Sequence, residues 1–469
     1  MSASSKITQS GAFGNEFSGA GNLAHQGWGT TPPIKPVNSV AGFPYLTFEH
    51  DPESVMDSDT SVNSRAFQTG EREVGRTLDK GLSFNNRCDG IDKELAWMFG
   101  WEGKTLPVII FQVAAFTDAT TGMVFTEESH NFTFIRQYKS KLITGVEVFW
   151  AVFTGINVPT NQSGTLTAPA GSTDLVFSSF DSMYQHTYEL SNDGRMFRPF
   201  TGAEITALGN QGTPDDKRTC MASLAKKFPS YNMVFNNTKC YKFGFKWSPQ
   251  KFTEISANWL GFDQKRIKTS DSTYADTDFN MLCSMIETNN IYAHNQTRLE
   301  IGVSTNQYNG HNYTFYPATD LNVDVELPLQ KQQDTESGLF LVDPVLNGLI
   351  KITAGVTITH SVDETFMDWR DQRTNLSARI SSVFGAYSQE LLIKKFTLPK
   401  AGPDNGDVSA EPLTLSVALT CGTHSFDTWL KNDLGVNPEI MGSPLVLRVV
   451  NKNPYNEMTG RDSTGTRRP

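Results

Sequence analysis

The residues best suited to chemistry lie in His360–Asp371, HSVDETFMDWRD. Four of its side chains have types that bind metal ions: His360, Asp363, Glu364 and Asp368. Their spacing matches neither the H-E-x-x-H zinc pattern nor an EF-hand calcium loop. Because the stretch follows an apolar run, we expect a solvated turn after a strand.

A second acid–base set occurs in TEESHNF, where Glu127, Glu128 and His130 lie close together. Carboxylates and an imidazole suit general acid–base catalysis, but a polar β-turn is the interpretation we favour. Cys88 lies beside Asp89 and lacks any feature that would activate its thiol. We therefore expect a buried or inactive thiol there.

The sequence also lacks the common catalytic and nucleotide-binding motifs. It has no G-x-S-x-G elbow, no Walker A loop and no Rossmann fingerprint. The prediction is a protein that is not an enzyme, with no catalytic, cofactor-binding or metal-binding residues and no cofactor.

Basic and aromatic residues alternate near the middle of the chain, which raises the possibility of a nucleic-acid stacking platform. The basic residues are Lys242, Lys246, Lys251, Lys265, Arg266 and Lys268. Successive side chains of a strand point to opposite faces, so the lysines lie opposite Phe243, Phe245 and Trp247. A sheet with one solvated face explains this pattern, and it is the interpretation we favour.

Composition argues against a nucleic-acid-binding groove. The chain has 469 residues, 40 basic and 50 acidic, and a formal net charge of −10. A protein that wraps nucleic acid needs a basic surface to neutralise phosphates. A mildly acidic wall is instead compatible with DNA that passes without binding.

Cysteine spacing and hydropathy argue against a disulfide-rich, secreted or membrane-spanning protein. The five cysteines are widely spaced without a C-x-x-C pair, which favours free thiols. The first residues lack the basic and apolar regions of a secretory signal. No apolar run approaches the roughly 18 residues that span a bilayer.

The element that organises these residues is Glu71–Trp101. Leu82 and Phe84 alternate with polar residues, which predicts a half-buried strand. A short helix over 89–99 follows, with an apolar stripe of Ile91, Leu95, Met98 and Phe99. We expect Asp89 or Asp92 to cap its first turn and Gly100 to end it in a left-handed conformation.

Alternating apolar runs predict strands through most of the chain. A hairpin joins Tyr241–Trp247 to Phe252–Trp259, and another is expected in Leu349–His360 around Ala354-Gly355. The remaining predicted strands are Thr105–Phe116, Met123–Arg136, Leu142–Phe153, Asp174–Phe180, Leu321–Leu327, Leu391–Leu398, Leu413–Leu419 and Leu445–Val450.

These runs predict a mainly β chain with two tandem antiparallel β-sandwich domains, each with a short flanking helix. The first domain covers 46–262 and contains a long polar loop at 193–227; the second covers 279–450. A polar linker at 263–278 separates them. Residues 1–45 form an extended arm and 451–469 a flexible tail.

Several stretches resemble the tail tube proteins of long-tailed bacteriophages. In the first, Phe48-Glu49 precedes a polar segment, a charged strand and an aspartate-led helix that ends in glycine. The second, Lys239–Phe262, resembles the C-terminal hairpin of such a domain. Ser388–Leu398 and Glu411–Thr420 resemble that family's late strands. The resemblance covers most of 46–450.

The resemblance implies a structural virion protein, located in the phage tail and made in the host cytoplasm. In that family, β-sandwich subunits join into rings that stack into a hollow tube, the conduit for genome ejection. Most rings have six one-domain subunits, whereas a few have three two-domain subunits. The implied partners are copies of the chain in trimeric or hexameric rings and other tail proteins. DNA passes through the lumen without specific binding, and no membrane is involved.

Two other classes stay open. A capsid or decoration protein is the nearest alternative, although a capsid subunit of the common phage type needs a long spine helix. A β-sandwich adhesin or carbohydrate-active protein is the third, and a cleft with paired carboxylates would distinguish it. In the tube interpretation, the loop at 193–227 reaches the next ring and the lumen is net negative.

Overall fold

The structure is a computed structural model of the chain. It describes residues 11–15, 40–43, 45–49, 51, 53–58, 71–102, 106–116, 124–127, 130–141, 147–156, 163–167, 175–177, 185–198, 222–227, 231–268, 290–303, 314–333, 341, 344, 350–358, 364–384, 387–398, 413–419 and 445–451.

Strands dominate these ranges. In chain order they are β1 (Gly11–Asn15), β2 (Val40–Phe43), β3 (Thr47–Phe48), β4 (Glu53–Ser58), β5 (Glu71–Asn85), β6 (Trp101–Glu102), β7 (Leu106–Phe116), β8 (Val124–Glu127), β9 (His130–Lys141), β10 (Glu147–Ile156), β11 (Ser163–Thr167), β12 (Leu175–Phe177), β13 (Gln185–Arg198), β14 (Ala222–Lys227), β15 (Tyr231–Trp247), β16 (Glu254–Gly261), β17 (Asp263–Lys268), β18 (Thr297–Val303), β19 (Thr314–Tyr316), β20 (Ala318–Glu326), β21 (Lys351–Ile358), β22 (Leu376–Phe384), β23 (Tyr387–Phe396), β24 (Leu413–Leu419) and β25 (Leu445–Asn451). The helices are α1 (Asp92–Phe99), α2 (Glu364–Asp371) and a short 3-10 helix (His294–Gln296).

The first sheet has 12 strands and is built around β15. The first half of β15 pairs with β14 and β17, and its second half pairs with β16 and β20. From there the sheet continues through β5 and β3 on one side and through β21 and β24 on the other. Strand β4 pairs with β5, and β1 and β2 extend the sheet beyond β14.

The second sheet has 13 strands in the order β19-β18-β22-β23-β25-β13-β7-β10-β9-β8, with β6, β11 and β12 beside this path. All the pairings in both sheets are antiparallel. The two sheets share one core, in which Phe245 and Trp247 of the first sheet join Ile380 and Leu391 of the second. Trp247 Nε1 donates a hydrogen bond to Ser382 Oγ across the sheets at 3.3 Å. The predicted mainly β, antiparallel fold with few helices is confirmed.

Helix α1 is buried along its whole length and packs against β15 of the first sheet and β13 of the second. The predicted apolar stripe is confirmed, since Leu95 and Met98 are 0% exposed. Trp97 Nε1 donates to the Thr238 carbonyl at 3.0 Å, and the Phe99 ring centroid lies 4.6 Å from that of Phe243. Gly100 has φ 85, the left-handed conformation expected at the helix end.

The predicted helix cap is wrong. The capping position is Ile91, and no side chain caps the first turn. The buried Asp92 carboxylate instead accepts hydrogen bonds from Asn451 Nδ2 at 2.8 and 3.0 Å. Asp89 Oδ1 accepts one from the Gly90 backbone at 3.0 Å. Asp92 thus binds a residue from the last strand, and Asp89 binds its neighbour in the chain. The orientation of α1 is fixed by its burial and not by a side-chain cap.

The hairpin predicted around Ala354-Gly355 is also wrong, because β21 runs straight through both residues. Ile352, Ala354 and Val356 alternate into the core, as a single strand requires. A Cβ added to Gly355 would lie 2.4 Å from Asn322 Oδ1 on the neighbouring strand. The glycine therefore allows a close approach between strands and does not mark a turn.

The other predicted hairpin is confirmed as β15 and β16, with Lys246 opposite Glu254. The strands predicted in Thr105–Phe116, Leu321–Leu327, Leu391–Leu398, Leu413–Leu419 and Leu445–Val450 are confirmed as β7, β20, β23, β24 and β25. Met123–Arg136 contains two paired strands, β8 and β9, which end at Glu127 and begin at His130, within the segment interpreted as a polar β-turn.

Three ranges that were predicted as a loop, a linker and an arm contain strands. The long loop at 193–227 ends in strand at both sides, since β13 reaches Arg198 and β14 begins at Ala222. The first part of the linker at 263–278 is β17. Two segments of the arm at 1–45 are strands of the first sheet. Apart from Tyr45, the remaining parts of these three ranges, and the tail at 452–469, lie outside the described residues.

Both sheets contain strands from the range 46–262 and from the range 279–450. Strand β15 pairs with β20, and β13 pairs with β25. The domain boundaries themselves stay a prediction.

Candidate assembly surface

The residues predicted as possible metal ligands do not meet in one described place. Glu364 and Asp368 belong to α2, whereas His360 and Asp363 lie outside the described residues. The solvated turn predicted there is wrong for 364–371. Phe366 anchors the helix, since it is 3% exposed and its ring centroid lies 4.7 Å from that of Tyr316.

Glu127 and His130 oppose each other at the ends of β8 and β9, as a turn between them requires. Glu128 lies outside the described residues. In the part of the chain that the structure describes, no group of three His, Cys, Asp or Glu side chains could hold a metal ion. No helix of the same part is long and apolar enough to cross a membrane.

Cys88 is buried, at 1% exposure, in a small cluster with Tyr292 and Tyr387. Burial raises the pKa of its thiol to about 12. The thiol is therefore protonated at neutral pH and is a poor nucleophile, as the sequence predicted. Burial also raises the pKa of Cys240.

The predicted separation of lysines from aromatics is confirmed on β15. Lys242 and Lys246 are exposed, whereas Phe243, Phe245 and Trp247 are at most 2% exposed. The first sheet thus has an aromatic face in the core and a polar face outside. Lys251 and Arg266 are also exposed, and the side chains of Lys265 and Lys268 lie outside the described set.

The polar face spans five neighbouring strands and consists of short or charged side chains. In order from β5 through β16, β15 and β20 to β21, its members are Gly81, Ser83, Asn85, Glu254, Ser256, Asn258, Lys242, Gly244, Lys246, Asn322, Asp324, Glu326, Lys351, Thr353 and Gly355. Register places them in rows across the strands, one of which runs Ser83, Ser256, Gly244, Asp324, Thr353. We call this surface the polar face.

Charges of opposite sign are neighbours on the polar face. Lys242 is opposite Glu326, which is opposite Lys351 in turn. Lys246 is opposite Glu254. Three lysines and three carboxylates therefore balance across the face.

Two glycines, Gly244 and Gly355, leave space on the polar face for neighbouring side chains. A Cβ at Gly244 would lie 2.4 Å from Asp324 Oδ1, and the corresponding distance at Gly355 to Asn322 is the same. Each glycine thus makes room for a polar side chain that lies flat along the sheet.

A small cluster marks one border of this face. The Tyr241 hydroxyl donates to Asp79 Oδ1 at 2.7 Å, and Lys331 pairs with the same carboxylate. The Lys331 Nζ lies 4.5 Å from the Tyr241 ring centroid. Partial burial, with the hydrogen bond to Asp79, raises the Tyr241 pKa to about 12. Sequence reasoning missed this cluster because its members are far apart in the chain.

Comparison with known proteins finds no family model that matches the chain and no matching curated protein. The function proposed for the chain therefore depends on its own residues.

Proposed function

We propose that this chain is a structural virion protein that polymerises into the tube of a phage tail. The observation that carries the proposal is the polar face. It is a broad antiparallel surface, apolar on its buried side and polar outside. Within the described residues, the strands β3 and β24 of this sheet each pair on one side only. Sheets with free edges associate edge to edge, and edges that are complementary under rotation close into rings.

The polar face supports a role as the wall of a conduit. Alternating lysines and carboxylates give it no net positive charge, so a phosphate backbone gains little by binding there. Short side chains and glycines leave few projections that would obstruct a moving polymer. The net negative lumen predicted from the total charge stays a prediction, because the polar face itself is balanced.

The capsid alternative has less support. The two described α-helices have eight residues each. A long spine helix would have to come from the remaining residues.

The test is the assembly state of the purified chain, alone and with a tail template. We expect three- or sixfold rings that stack into hollow tubes, measured by negative-stain microscopy and light scattering. A strictly monomeric chain at high concentration, with no rings on any template, would overturn the proposal.

A labelling experiment tests the position of the polar face. Biotin attached at Ser256→Cys should bind streptavidin in the monomer and lose that binding in the tube, because the face lines the lumen. Biotin attached at Asp371→Cys, at the exposed last residue of α2, is the matched control and should stay accessible. Equal accessibility of both labels in tubes would leave assembly intact and reject the polar face as the inner wall.

A further inference from the structure

The first two strands of the chain form a hairpin that covers one edge of the first sheet. Strand β1 pairs with β2, with Gly11 opposite Phe43. On its other side β1 pairs with β14, with Gly11 opposite Lys226 and Asn15 opposite Ala222. We call β1 and β2 together the arm hairpin. Because β14 pairs with β15 on its far side, the arm hairpin supplies the second partner of β14.

Strand β14 belongs to the core and needs a partner on this edge. Its Ala222 and Leu224 are 0% exposed, and both belong to the core shared by the two sheets. If the arm hairpin left, the backbone groups of β14 on that side would lose their partners, and such an edge recruits another strand. The chain itself shows which strand fits this edge, namely β1 in the register described above.

The chain that follows the arm hairpin is anchored to the body of the protein by contacts of its own. Lys226 Nζ donates to the Phe48 carbonyl at 2.8 Å, and it lies 5.3 Å from the Tyr45 ring centroid and 5.4 Å from that of Phe48. Phe48 is 5% exposed, and its ring centroid lies 5.6 Å from that of Phe235. These side-chain contacts do not involve the arm hairpin, so they persist when it leaves β14.

The connection between the arm hairpin and this anchor is short. Strand β2 ends at Phe43 and β3 begins at Thr47, although the strand order β2-β1-β14-β15-β16-β5-β3 places β2 and β3 at opposite ends. One of the three connecting residues is Pro44, and the fixed φ of a proline limits how a connection can fold back. Short hinge segments favour the exchange of the element they carry between copies of a protein.

The arm hairpin is also the part of this sheet that we expect to open most easily. Its ladder with β14 has the five residues of β1, Gly11–Asn15. A two-stranded hairpin has marginal stability by itself, and segments near a chain terminus open at a lower free energy than core strands. Because the anchor at Phe48 stays in place, opening releases the arm hairpin without unfolding the core.

We propose that the arm hairpin is exchanged between copies of this chain, so that β1 of one copy pairs with β14 of the next copy. The exchanged pairing is the one seen within a single chain, so exchange loses no backbone hydrogen bond and needs only an extended connection. A second copy is the partner because it carries the identical strand in the identical register. The inference rests on the proposed tube function and deepens it, since it identifies a segment that links neighbouring subunits; this segment differs from the loop predicted at 193–227.

Cysteine crosslinking between two different chains tests the exchange directly. Ala12 on β1 opposes Ala225 on β14, so Ala12→Cys and Ala225→Cys chains are mixed under assembly conditions and treated with a mild thiol oxidant. The mixed crosslinked peptide is counted by mass spectrometry, with the wild-type chain and its five cysteines as the background. The matched control mixes Lys246→Cys with Glu254→Cys, which oppose each other within the β15–β16 hairpin of one chain. We expect a yield at least about tenfold above this control, because exchange holds the two thiols together. Equal yields would overturn the exchange.

Locking the arm hairpin on its own chain separates this inference from the proposed function. Ala12→Cys and Ala225→Cys are combined in one chain and oxidised at low concentration, so that the disulfide forms within the monomer. Circular dichroism should match the wild type, and the concentration at which half of the chains assemble should rise at least about tenfold and return to the wild-type value with a reductant. The oxidised Lys246→Cys and Glu254→Cys double variant is the control and should assemble as the wild type does. Assembly of the locked chain at the wild-type concentration would overturn the exchange while leaving the tube function standing. A wild-type chain that never associates would overturn both.

Discussion

At the scale of residues, charge is buried in the second sheet. Arg379 on β22 donates to Glu300 Oε2 at 2.7 Å and to Glu390 Oε1 at 3.1 Å, and so links β18, β22 and β23. The three side chains are at most 8% exposed. Removing charges from water is costly unless they stay paired. In the sequence, this network is visible only as isolated charged residues within apolar strands. Sequence alone does not show which of these residues pair with each other.

Replacing the central arginine should therefore destabilise the fold strongly. Arg379→Met leaves buried Glu390 without this cation and leaves Glu300 with Arg298, whose Nε donates to Glu300 Oε1 at 2.9 Å. We expect a loss of about 3–5 kcal/mol in the free energy of unfolding. The measurement is urea denaturation followed by tryptophan fluorescence. Arg370→Met is the matched control, because Arg370 pairs with Asp371 at 2.7 Å on the surface. Its cost should be much smaller, because exposed ion pairs contribute little to stability.

Apolar replacement of all three residues distinguishes charge burial from simple packing. If desolvation is the cause, Arg379→Met combined with Glu300→Leu and Glu390→Leu should recover much of the lost stability. A triple variant less stable than Arg379→Met would show that the network itself, and not the burial of carboxylates without Arg379, determines the cost.

The thiol of Cys88 should make stability depend on alkaline pH. Burial raises its pKa to about 12 from an ordinary value of 9.0. Below pH 9 the thiol is protonated in both states, and its contribution is fully present. As pH rises from 9 toward 12 only the unfolded chain loses the proton, so stability falls by at most about 1.4 kcal/mol per pH unit.

Urea denaturation at pH 7.5, 9, 10 and 11 checks this dependence. The stability difference between the wild type and Cys88→Ala should shrink as pH rises above 9, because the variant lacks the thiol. Ser256→Ala, at an exposed position without a titrating group, should differ from the wild type by the same amount at every pH. A constant difference for Cys88→Ala as well would contradict the assigned pKa.

At the scale of elements, the sequence pattern predicted the strands and helix whose form depends on residues close together in the chain. The hairpin of β15 and β16 follows from alternation and a short turn, and the stripe of α1 follows from helical spacing. Failures arose where a distant residue decides the local structure. Gly355 lies within a strand because Asn322 occupies the space beside it. Asp92 does not cap α1 because Asn451, from the last strand, reaches its carboxylate.

The burial of α1 gives a prediction at this scale. Leu95→Asp places a carboxylate at a position that is 0% exposed, and we expect loss of the folded state. The measurements are soluble yield and the near-ultraviolet circular dichroism of the core aromatics. Leu46→Asp makes the same change at 51% exposure and should leave both unchanged. Wild-type behaviour of Leu95→Asp would show that the helix does not pack as described.

At the scale of the whole molecule, the sheets are assembled from distant parts of the chain. Strand β15 lies between β16, which follows it directly, and β20, whose residues come more than 70 positions later. The polar face is the result, and its rows combine β5 with β21. Sequence reasoning found the lysines of this face but not its width, because pairings between distant strands leave no local pattern.

The shared sheets predict that the second half of the chain cannot fold alone. A fragment of residues 279–450 retains β20 and β23 but loses β15, β13 and α1. Val323 and Val325, both 0% exposed in the full chain, would lose the aromatic residues of β15 that lie opposite them. Leu447 would likewise lose its partner Phe197 on β13. An edge opened in this way exposes apolar surface and unpaired backbone groups.

The fragment should therefore be aggregated or unfolded, without dispersed amide signals in NMR and without rings in the microscope. Co-expression with residues 1–278 is the matched control, since it restores β13, β15 and α1 in trans and should recover a soluble complex. A fragment that unfolds cooperatively on its own would show that residues 279–450 form an independent domain. In that case the strands shared with the first half would be a docking interface between two domains, and ring formation would depend on that interface staying closed.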